Sequence, residues 1–545
     1  MEIRANFVDI GRREIYPARV VIEKQKIASV TKIDEPCSSY ILPGFIDAHI
    51  HIESSMLPPS EFARLAVRHG TVATVSDPHE IANVLGIAGV EFMLDNAEKV
   101  NFKFYFGASP CVPATPFETS GAALGVEEIK TLLKKPQIKY LSEVMNFPGV
   151  IDGDEDLLSK IKAAQELGKP VDGHAPGLRG DDLKRYIDAG IMTDHEAFTY
   201  EEGLEKIRNG MKIVIREGSA AKNFNALAPL IDEHYAMLMF CSDDRHPNDL
   251  YNDHINKLVK RALAKGNDLF KVLQIACINP IMHYDLDVGM LREGDSADFI
   301  EVDNLDDLTV LKTVINGEVV AQNGETTISP VPVSKINNFH TGTKEAGDFA
   351  MPACETVEVI EAIDHELITH EKVVTLRNVS SQTVGDPEHD ILKIGVVNRY
   401  EDVAPAVAYV NGFGLKEGAI ASSVAHDSHN IVAVGCSDEM IAKAVNLLIK
   451  KQGGICAVSG EESWVLPLEI AGIMSADDGF RVAREYEKID RIVKERLGSP
   501  LSAPFMTLSF MALLVIPELK LSDKGLFDGR TFHFINGCKT KHEPF

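Results

Sequence analysis

The chain has 545 residues, of which 45% are hydrophobic and 25% are charged, a composition typical of a globular protein with several domains. Its formal net charge of −26 argues against a nucleic-acid partner and against binding to an anionic membrane surface. The eight cysteines form no CxxC pair, and the first residues carry charges where a signal peptide needs an apolar stretch. These properties predict a cytoplasmic protein with free thiols and no membrane anchor.

Two distant parts of the chain share a pattern of short strands. It occurs in residues 1–40 and returns in residues 290–330. We therefore predict a small β-sandwich domain that is split by the block between them.

Residues 41–289 alternate apolar strands with amphipathic helices. Eight strands are predicted, at Ile41–His49, Thr71–Ser76, Lys103–Ala108, Ile138–Val144, Pro170–Gly173, Ile191–Asp194, Met211–Ile215 and Met237–Cys241. This alternation indicates βαβ units, and eight of them match a (β/α)₈ TIM-like barrel. An open doubly wound sheet is the structural alternative, and it would need no ligands shared between its first and last strands.

The rest of the chain is predicted to form a linker at residues 331–352 and a C-terminal α/β domain at residues 353–545. The linker is rich in Thr, Ser, Pro and Asn, whereas the residues after it resume a mixture of strands and helices.

Polar side chains gather at the predicted strand ends. His49 and His51 close the first strand and point to the same face, because strand side chains alternate. Further strands end at or near Asp77 and His79, Glu143, His174, His195, Arg216 and Ser219, and Asp243.

Active sites of such barrels lie at the C-terminal ends of the strands. Four of these histidines, His49, His51, His174 and His195, together with Glu143 and Asp243, can hold two divalent ions that share a bridging group. Each residue alone has a simpler interpretation as a hydrogen-bonded or solvated side chain. Their joint occurrence at strand ends favours a metal site.

The longer motifs carry a resemblance to a known family. LPGFIDAHIHIESSM, SDPHEIANVLG, LSEVMNFPGV, DGHAPG, TDHEAF, REGSAAKN and FCSDDRHP resemble the adenine deaminase family of the amidohydrolase superfamily. The similarity extends over the whole chain, including the C-terminal domain. Many superfamily members use a carboxylated lysine as the bridging ligand, whereas the corresponding position here is Glu143.

The resemblance implies a ligand set. His49, His51 and Asp243 would bind one metal ion, His174 and His195 the other, and Glu143 would bridge both. The implied cofactors are two divalent ions per chain, with Mn²⁺ first and Fe²⁺ or Zn²⁺ as alternatives. The implied reaction is the hydrolytic deamination of adenine to hypoxanthine and ammonia by a metal-bound hydroxide, as a step of purine salvage.

Several roles stay open. Asp243 is expected to be the catalytic acid–base, and Glu53 either shuttles a proton to N1 of adenine or is a rim carboxylate in a salt bridge. Asp77, His79, Arg216 and Ser219 are possible substrate contacts, although Asp77 and Ser219 could instead cap helices and His79 could lie in a first helical turn. The polar segment 425–430 either forms a local turn or closes over the barrel mouth.

Two other functions are compatible with parts of this pattern. A hydantoinase-like or dihydroorotase-like enzyme would open a cyclic amide with the same metals, and a catalytically silent scaffold would be expected to lack several ligands. Adenine is the expected small-molecule partner, and a homodimer is the expected assembly.

Overall fold

The computed structural model describes residues 1–539 of the chain. An eight-stranded sheet joins the two ends of the first 330 residues. Its strands, in spatial order, are Glu325–Thr326, Glu318–Gln322, Val310–Ile315, Phe299–Val302, Tyr40–Pro43, Glu2–Asp9, Glu14–Glu23 and Lys26–Lys32.

The barrel strands form two adjoining parallel sheets. The larger sheet contains, in order, Asp243–Asp244, Phe45–His51, Thr71–Ser76, Lys103–Ala108, Ile138–Val144 and Val171–Gly173. The smaller sheet contains Thr193–Asp194, Lys212–Arg216 and Leu238–Cys241. The fifth strand contacts the sixth and the eighth contacts the first, so the strands curl into the barrel that the sequence predicts.

The predicted first strand is divided between two sheets, so this prediction is wrong. Residues 41–49 do not form one strand, because the chain changes sheets at Gly44. Tyr40–Pro43 pairs with Phe299–Val302, whereas Phe45–His51 pairs with the second barrel strand. A Cβ atom at Gly44 would lie 2.2 Å from a methyl carbon of Val72, so only glycine fits this close approach.

Helices surround the barrel. The α-helices are Pro59–Ala66, His79–Leu85, Ile87–Ala97, Val126–Leu133, Phe147–Asp152, Glu155–Glu166, Gly180–Asp188, Tyr200–Arg208, Phe224–Leu227, Ile231–His234, Pro247–Asn252, Ile255–Ala264, Leu269–Leu273 and Asn279–Tyr284. Short 3₁₀ segments lie at Ile52–Ser55, Val67–His69, Ala228–Leu230 and Tyr235–Met237, and a π-helical turn at Gln274–Ile278.

A mixed sheet dominates the C-terminal region. Its main strands, in spatial order, are Thr369–Val374, Thr356–Ala362, Ala406–Asn411, Leu392–Val397, Ile431–Gly435, Ala419–Ser422, Gly454–Ser459 and Glu462–Pro467, and Cys538–Lys539 pairs with Thr356–Ala362. Smaller sheets contain Met351–Pro352, Asn378–Val379 and Gln382–Thr383, and Leu519–Ser522, Gly525–Asp528 and His533–Phe534. The helices are Ala346–Phe349, Pro387–His389, Asp438–Lys451, Gly479–Glu495 and Pro504–Phe510.

The C-terminal region packs directly on the barrel. Helix Gly479–Glu495 begins beside the first barrel helix, where Glu61 accepts the Gly479 N–H at 2.8 Å and Arg64 pairs with Asp478 at 2.9 Å. Apolar residues of both parts belong to one continuous core. This packing places the C-terminal region at the mouth of the barrel.

The prediction of free thiols is wrong for one pair. Cys354 and Cys538 form a disulfide across 184 residues of sequence. The antiparallel pairing of Val357 with Cys538 brings the two cysteines together, and no local spacing in the sequence shows this. Within the described residues, no helix has the length and apolar character needed to cross a bilayer.

Candidate metal centre

Six side chains from distant parts of the barrel meet at the C-terminal ends of its strands. They are His49 and His51 on the first strand, Glu143 on the fourth, His174 and His195 directly after the fifth and sixth, and Asp243 beside the first strand. All six are buried, and the most exposed, His174, has a relative exposure of 7%.

Glu143 lies at the centre of the group. Its Oε2 is 2.8 Å from Nδ1 of His174 and 3.2 Å from Nε2 of His195. Its Oε1 is 3.3 Å from Nε2 of His51. One carboxylate therefore faces histidines of two different strand groups, as a bridging ligand would.

The other half of the group contains His49, His51 and Asp243. The Nε2 atoms of the two histidines are 3.2 Å apart. Oδ1 of Asp243 lies 3.4 Å from Nε2 of His49 and 3.1 Å from Nε2 of His51. Pairing of Asp243 with Ile50 in a parallel register places this carboxylate beside the two imidazoles.

Backbone groups and buried polar residues orient the imidazoles. Nδ1 of His51 lies 3.1 Å from the carbonyl oxygen of Asp77, so donation by Nδ1–H leaves the lone pair of Nε2 directed at the group. The hydroxyl of Tyr186 donates to the carbonyl of Val144 at 2.7 Å and accepts the N–H of His174 at 3.0 Å. The fourth and fifth strand ends are thereby fixed relative to each other.

The donor set fits divalent metal ions. His49, His195 and Asp243 place one possible ligand atom each within 4.8 Å of one another, and so do Glu143, His174 and His195. Imidazole nitrogens and carboxylate oxygens suit Zn, Fe and Mn. Two buried carboxylates need positive charge nearby, because burial of an uncompensated anion is costly, and bound divalent ions would supply it.

Different groups lower the pKa values of Glu143 and Asp243. Burial alone would raise the pKa of Glu143, but His174, His195 and His51 hold that pKa well below its usual range. Burial would also raise the pKa of Asp243, but Arg216 first, and then His49 and His51, hold that pKa well below its usual range. Both carboxylates are therefore ionised near neutral pH.

Arg216 binds two carboxylates at the rim. Its Nη1 donates to Oδ2 of Asp243 at 2.6 Å, and its guanidinium makes a second, two-pronged contact with Glu196. Oε1 of Glu196 also lies 3.7 Å from Nδ1 of His174. Glu196 was not identified in the sequence, although it directly follows His195 in the TDHEAF motif.

Of the other possible substrate contacts, His79 and Asp77 lie beside the centre, whereas Ser219 lies elsewhere. Nδ1 of His79 lies 3.4 Å from Oε1 of Glu143 and 3.1 Å from Oδ2 of Asp77. Asp77 also accepts the hydroxyl of Ser109 at 2.5 Å. The hydroxyl of Ser219 donates to Asp249, and Ser219 lines a separate surface pocket.

Glu53 lies near the site but outside the wall of its cavity. The carboxylate is buried and accepts the backbone N–H of Ile81 at 3.2 Å. Burial raises the pKa of Glu53 to about 7. A proton is therefore available on this carboxyl group near neutral pH.

The cavity over the centre is lined by residues of both parts of the chain. The barrel contributes five of the six residues of the centre, His49 excepted, together with His79, Glu80, Met145, Glu196, Arg216 and Asp244, and the C-terminal region contributes Leu367, His426, Asp427, Phe510 and Leu513. The segment 425–430 thus contributes directly to the cavity wall. The carboxylate of Glu80 also lies in the cavity wall; Glu80 is not among the predicted site residues, although it follows His79 in the SDPHE motif.

Comparison with known families places this centre in context. The amidohydrolase family profile matches residues 40–320, and the profile of the adenine deaminase C-terminal domain matches residues 366–533. An adenine deaminase of Sulfurovum sp. (strain NBC37-1) is 68% identical over 99% of this chain and 100% of its own length. The chain belongs to the adenine deaminase family.

Two further adenine deaminases are less similar to this chain than the Sulfurovum relative. The adenine deaminase of Salinibacter ruber is 56% identical, covering 98% of both chains, and that of Borreliella burgdorferi is 48% identical, covering 98% of this chain and 99% of the relative. Among solved structures, a β-aspartyl dipeptidase from Fervidobacterium islandicum AW-1 has a TM-score of 0.47 at 16% identity, covering 60% of this chain and 99% of its own. An adenosine deaminase from Xanthomonas campestris with bound zinc has a TM-score of 0.44 at 17% identity, covering 60% of this chain and 94% of its own.

Proposed function

We propose that this chain hydrolyses adenine to hypoxanthine and ammonia. The observation that carries the proposal is the buried group of four imidazoles and two carboxylates, with Glu143 between its halves, in a chain of the adenine deaminase family. Deamination at a ring carbon needs an activated water and a group that moves protons, and this arrangement can supply both.

We propose that the centre binds two divalent ions. His49, His51 and Asp243 would hold one, His174 and His195 would hold the other, and Glu143 would contact both. When bound, paired divalent ions lower the pKa of a water molecule and so provide the nucleophile near neutral pH. Mn²⁺, Fe²⁺ and Zn²⁺ all accept these ligands, and the family resemblance makes Mn²⁺ our first choice.

Asp243 is the proposed proton carrier. Arg216 holds its Oδ2, while its Oδ1 faces His49 and His51. In this orientation the carboxylate can take a proton from the attacking water and deliver it to the departing amine, as general acid–base catalysis requires.

Fewer side chains are proposed to contact the purine than the four possible contacts in the sequence. His79 and Arg216 line the cavity, so we propose them as purine contacts, with Asp77 orienting His79. Glu53 remains our proposal for the source of the N1 proton: burial raises its pKa to about 7, and because it lies outside the cavity wall the proton would reach the purine through a group that lines the cavity. Ser219 is engaged by Asp249 and receives no substrate role.

Ammonia release provides the direct test. Metal-depleted protein should release little ammonia from adenine, and added Mn²⁺ should restore release together with formation of hypoxanthine. Glu143→Ala should abolish turnover and reduce bound metal while keeping the fold, whereas Glu201→Ala, at an exposed helical position, should behave as wild type. Ring opening without ammonia would favour a cyclic amidohydrolase, and near-normal activity of Glu143→Ala would contradict the proposed centre.

The cellular setting is also a proposal. We propose a cytoplasmic homodimer that acts in purine salvage and has adenine, rather than a nucleic acid or a membrane, as its partner. The acidic net charge of −26 supports a small-molecule partner over a nucleic acid or an anionic membrane surface.

A further inference from the structure

Glu80 is held by two histidines of the C-terminal region. It is the second residue of helix His79–Leu85 and is almost completely buried. Its Oε1 contacts Nδ1 of His426, and its Oε2 contacts Nε2 of His429. Each oxygen of this carboxylate therefore faces a different imidazole, and both imidazoles come from the segment between strands Ala419–Ser422 and Ile431–Gly435.

The hydrogen-bond partners determine how the His429 ring is protonated. The backbone N–H of Ala425 donates to Nδ1 of His429 at 3.2 Å, so Nδ1 must be the acceptor nitrogen. In the neutral ring the proton then lies on Nε2, which faces Glu80. In this tautomer the Nε2–H of His429 is directed at Oε2 of Glu80 and can donate to it, and the same proton opposes coordination of a metal ion by Nε2.

His426 is fixed by its own surroundings. Its backbone N–H donates to the hydroxyl of Ser509 at 3.1 Å, and its ring stacks on Phe510 with the centroids 5.2 Å apart. Burial by itself would lower the pKa of His426. The neighbouring carboxylates of Glu80 and Asp244 have the larger, opposite effect, so the pKa is raised to about 9. Glu80 and His426 therefore form an ion pair. Burial lowers the pKa of His429, so this neutral imidazole faces the other oxygen of Glu80.

Glu80 is close to the proposed metal centre without belonging to it. Its Oε1 lies 3.4 Å from Nε2 of His79, whose Nδ1 lies 3.4 Å from Oε1 of Glu143. A single imidazole thus separates Glu80 from the central carboxylate. Glu80 and His426 both line the cavity above the centre, so a ligand in that cavity lies beside the Glu80 carboxylate.

We propose that His426 and His429 are positioning residues that aim the ionised Glu80 carboxylate at an N–H group of the bound purine. The proposal rests on the proposed function, because it takes the cavity to be the adenine site. It also gives the C-terminal region a role in binding substrate: the barrel supplies the carboxylate, and the C-terminal region supplies the donors that orient it. A carboxylate without these donors would turn away from the purine or take up a proton.

Conservative substitutions distinguish this role from a general structural one. Glutamine places an amide N–H near the position of Nε2, and asparagine places one near Nδ1. His429→Gln and His426→Asn should therefore keep the donor to Glu80, whereas His429→Asn, His429→Ala and His426→Ala should lose it. His389→Ala, at an exposed position of the same region, is the control.

The measurements are steady-state kinetics with adenine, the inhibition constant of hypoxanthine and the metal content of the holoenzyme. Loss of a hydrogen bond to a charged group should raise KM and the hypoxanthine inhibition constant by about 10-fold or more, with a smaller change in kcat. The two donor-keeping variants should stay near wild type. Glu80→Gln should show the same defect, and adding His429→Ala to it should cause little further loss, because both changes remove one interaction.

Three results would overturn the proposal. The first is unchanged hypoxanthine inhibition in the alanine variants, and the second is an additive loss in the double variant. The third is loss of a metal ion from the alanine variants, which would mean that Glu80, His426 and His429 form a metal site. Failure of the proposed function is a separate outcome, since the wild-type holoenzyme would then release no ammonia from adenine.

Discussion

Nη1 of Arg216 donates to Oδ2 of Asp243 at 2.6 Å, and this bond leaves Oδ1 of Asp243 facing the two histidines of the first strand. The same guanidinium also binds Glu196 with two nitrogens. Arg216 therefore fixes the orientation of the proposed proton carrier through a planar, two-pronged contact that lysine cannot reproduce.

Arg216→Lys should keep the positive charge but lose this geometry. We expect kcat for adenine to fall by about 10- to 100-fold, the usual cost of removing a partner that orients a ligand. Kinetics and metal analysis of the same preparation would check this, with Arg208→Lys at an exposed helix end as the control. Wild-type kcat in Arg216→Lys would show that Asp243 needs no such restraint.

Asp243→Asn tests the proton carrier itself. The amide keeps an oxygen near His49 and His51 but cannot accept the proton of the attacking water. We expect much of the metal to be retained and kcat to fall by about 10²- to 10⁴-fold, the range attributed to general acid–base catalysis. Asp181→Asn, on an exposed helical turn, should have no effect, and a variant of Asp243 with both full metal and full rate would exclude the role.

Asp47→Asn should destabilise the protein. Asp47 accepts the backbone N–H of Ser242 at 3.0 Å, the hydroxyl of the same residue, and Nε2 of His254 at 2.8 Å. An asparagine would turn one acceptor into a donor in a buried site, which costs about 1–3 kcal/mol. Thermal unfolding should show a lower midpoint than for Asp95→Asn at an exposed position, and equal midpoints would contradict the assigned network.

Burial of Lys520 should make the stability of the protein depend on pH. Its ammonium group is fully buried and donates to the carbonyl oxygens of Leu367 at 2.7 Å and Phe510 at 3.0 Å. Burial lowers the pKa of Lys520 to about 7, whereas the unfolded value is about 10.4. Between these values the unfolded chain binds more protons, so this residue makes stability rise with pH, and its full cost is present below pH 7.

Replacing Lys520 with an uncharged residue should therefore stabilise the protein most at low pH. The stability of Lys520→Met relative to wild type should be higher at pH 6 than at pH 10, by a difference on the order of 3 kcal/mol. Unfolding midpoints of both proteins at the two pH values would measure this, with Lys450→Met at an exposed position as the control. A pH-independent difference would mean that Lys520 keeps an ordinary pKa.

Much of the barrel could be predicted because its signals are local. Strand alternation placed His49 and His51 on one face, and the rule that active sites lie at strand ends collected the other four residues. The structure brings these six side chains together at one mouth, and the chain belongs to the predicted family. The division of the first strand at Gly44 was missed, since it depends on contact with Val72 in a neighbouring strand.

The sequence by itself determined the order of strands and helices, the polar residues at the strand ends and the motifs of the family, because each of these depends on neighbouring residues. Only the tertiary structure decided which carboxylate faces which imidazole, that Arg216 restrains Asp243, and that Cys354 meets Cys538. It alone also decided that His426 and His429 close on Glu80, across more than 340 residues of chain. Contacts between residues so far apart arise from the packing of the C-terminal region on the barrel, and no local periodicity encodes that packing.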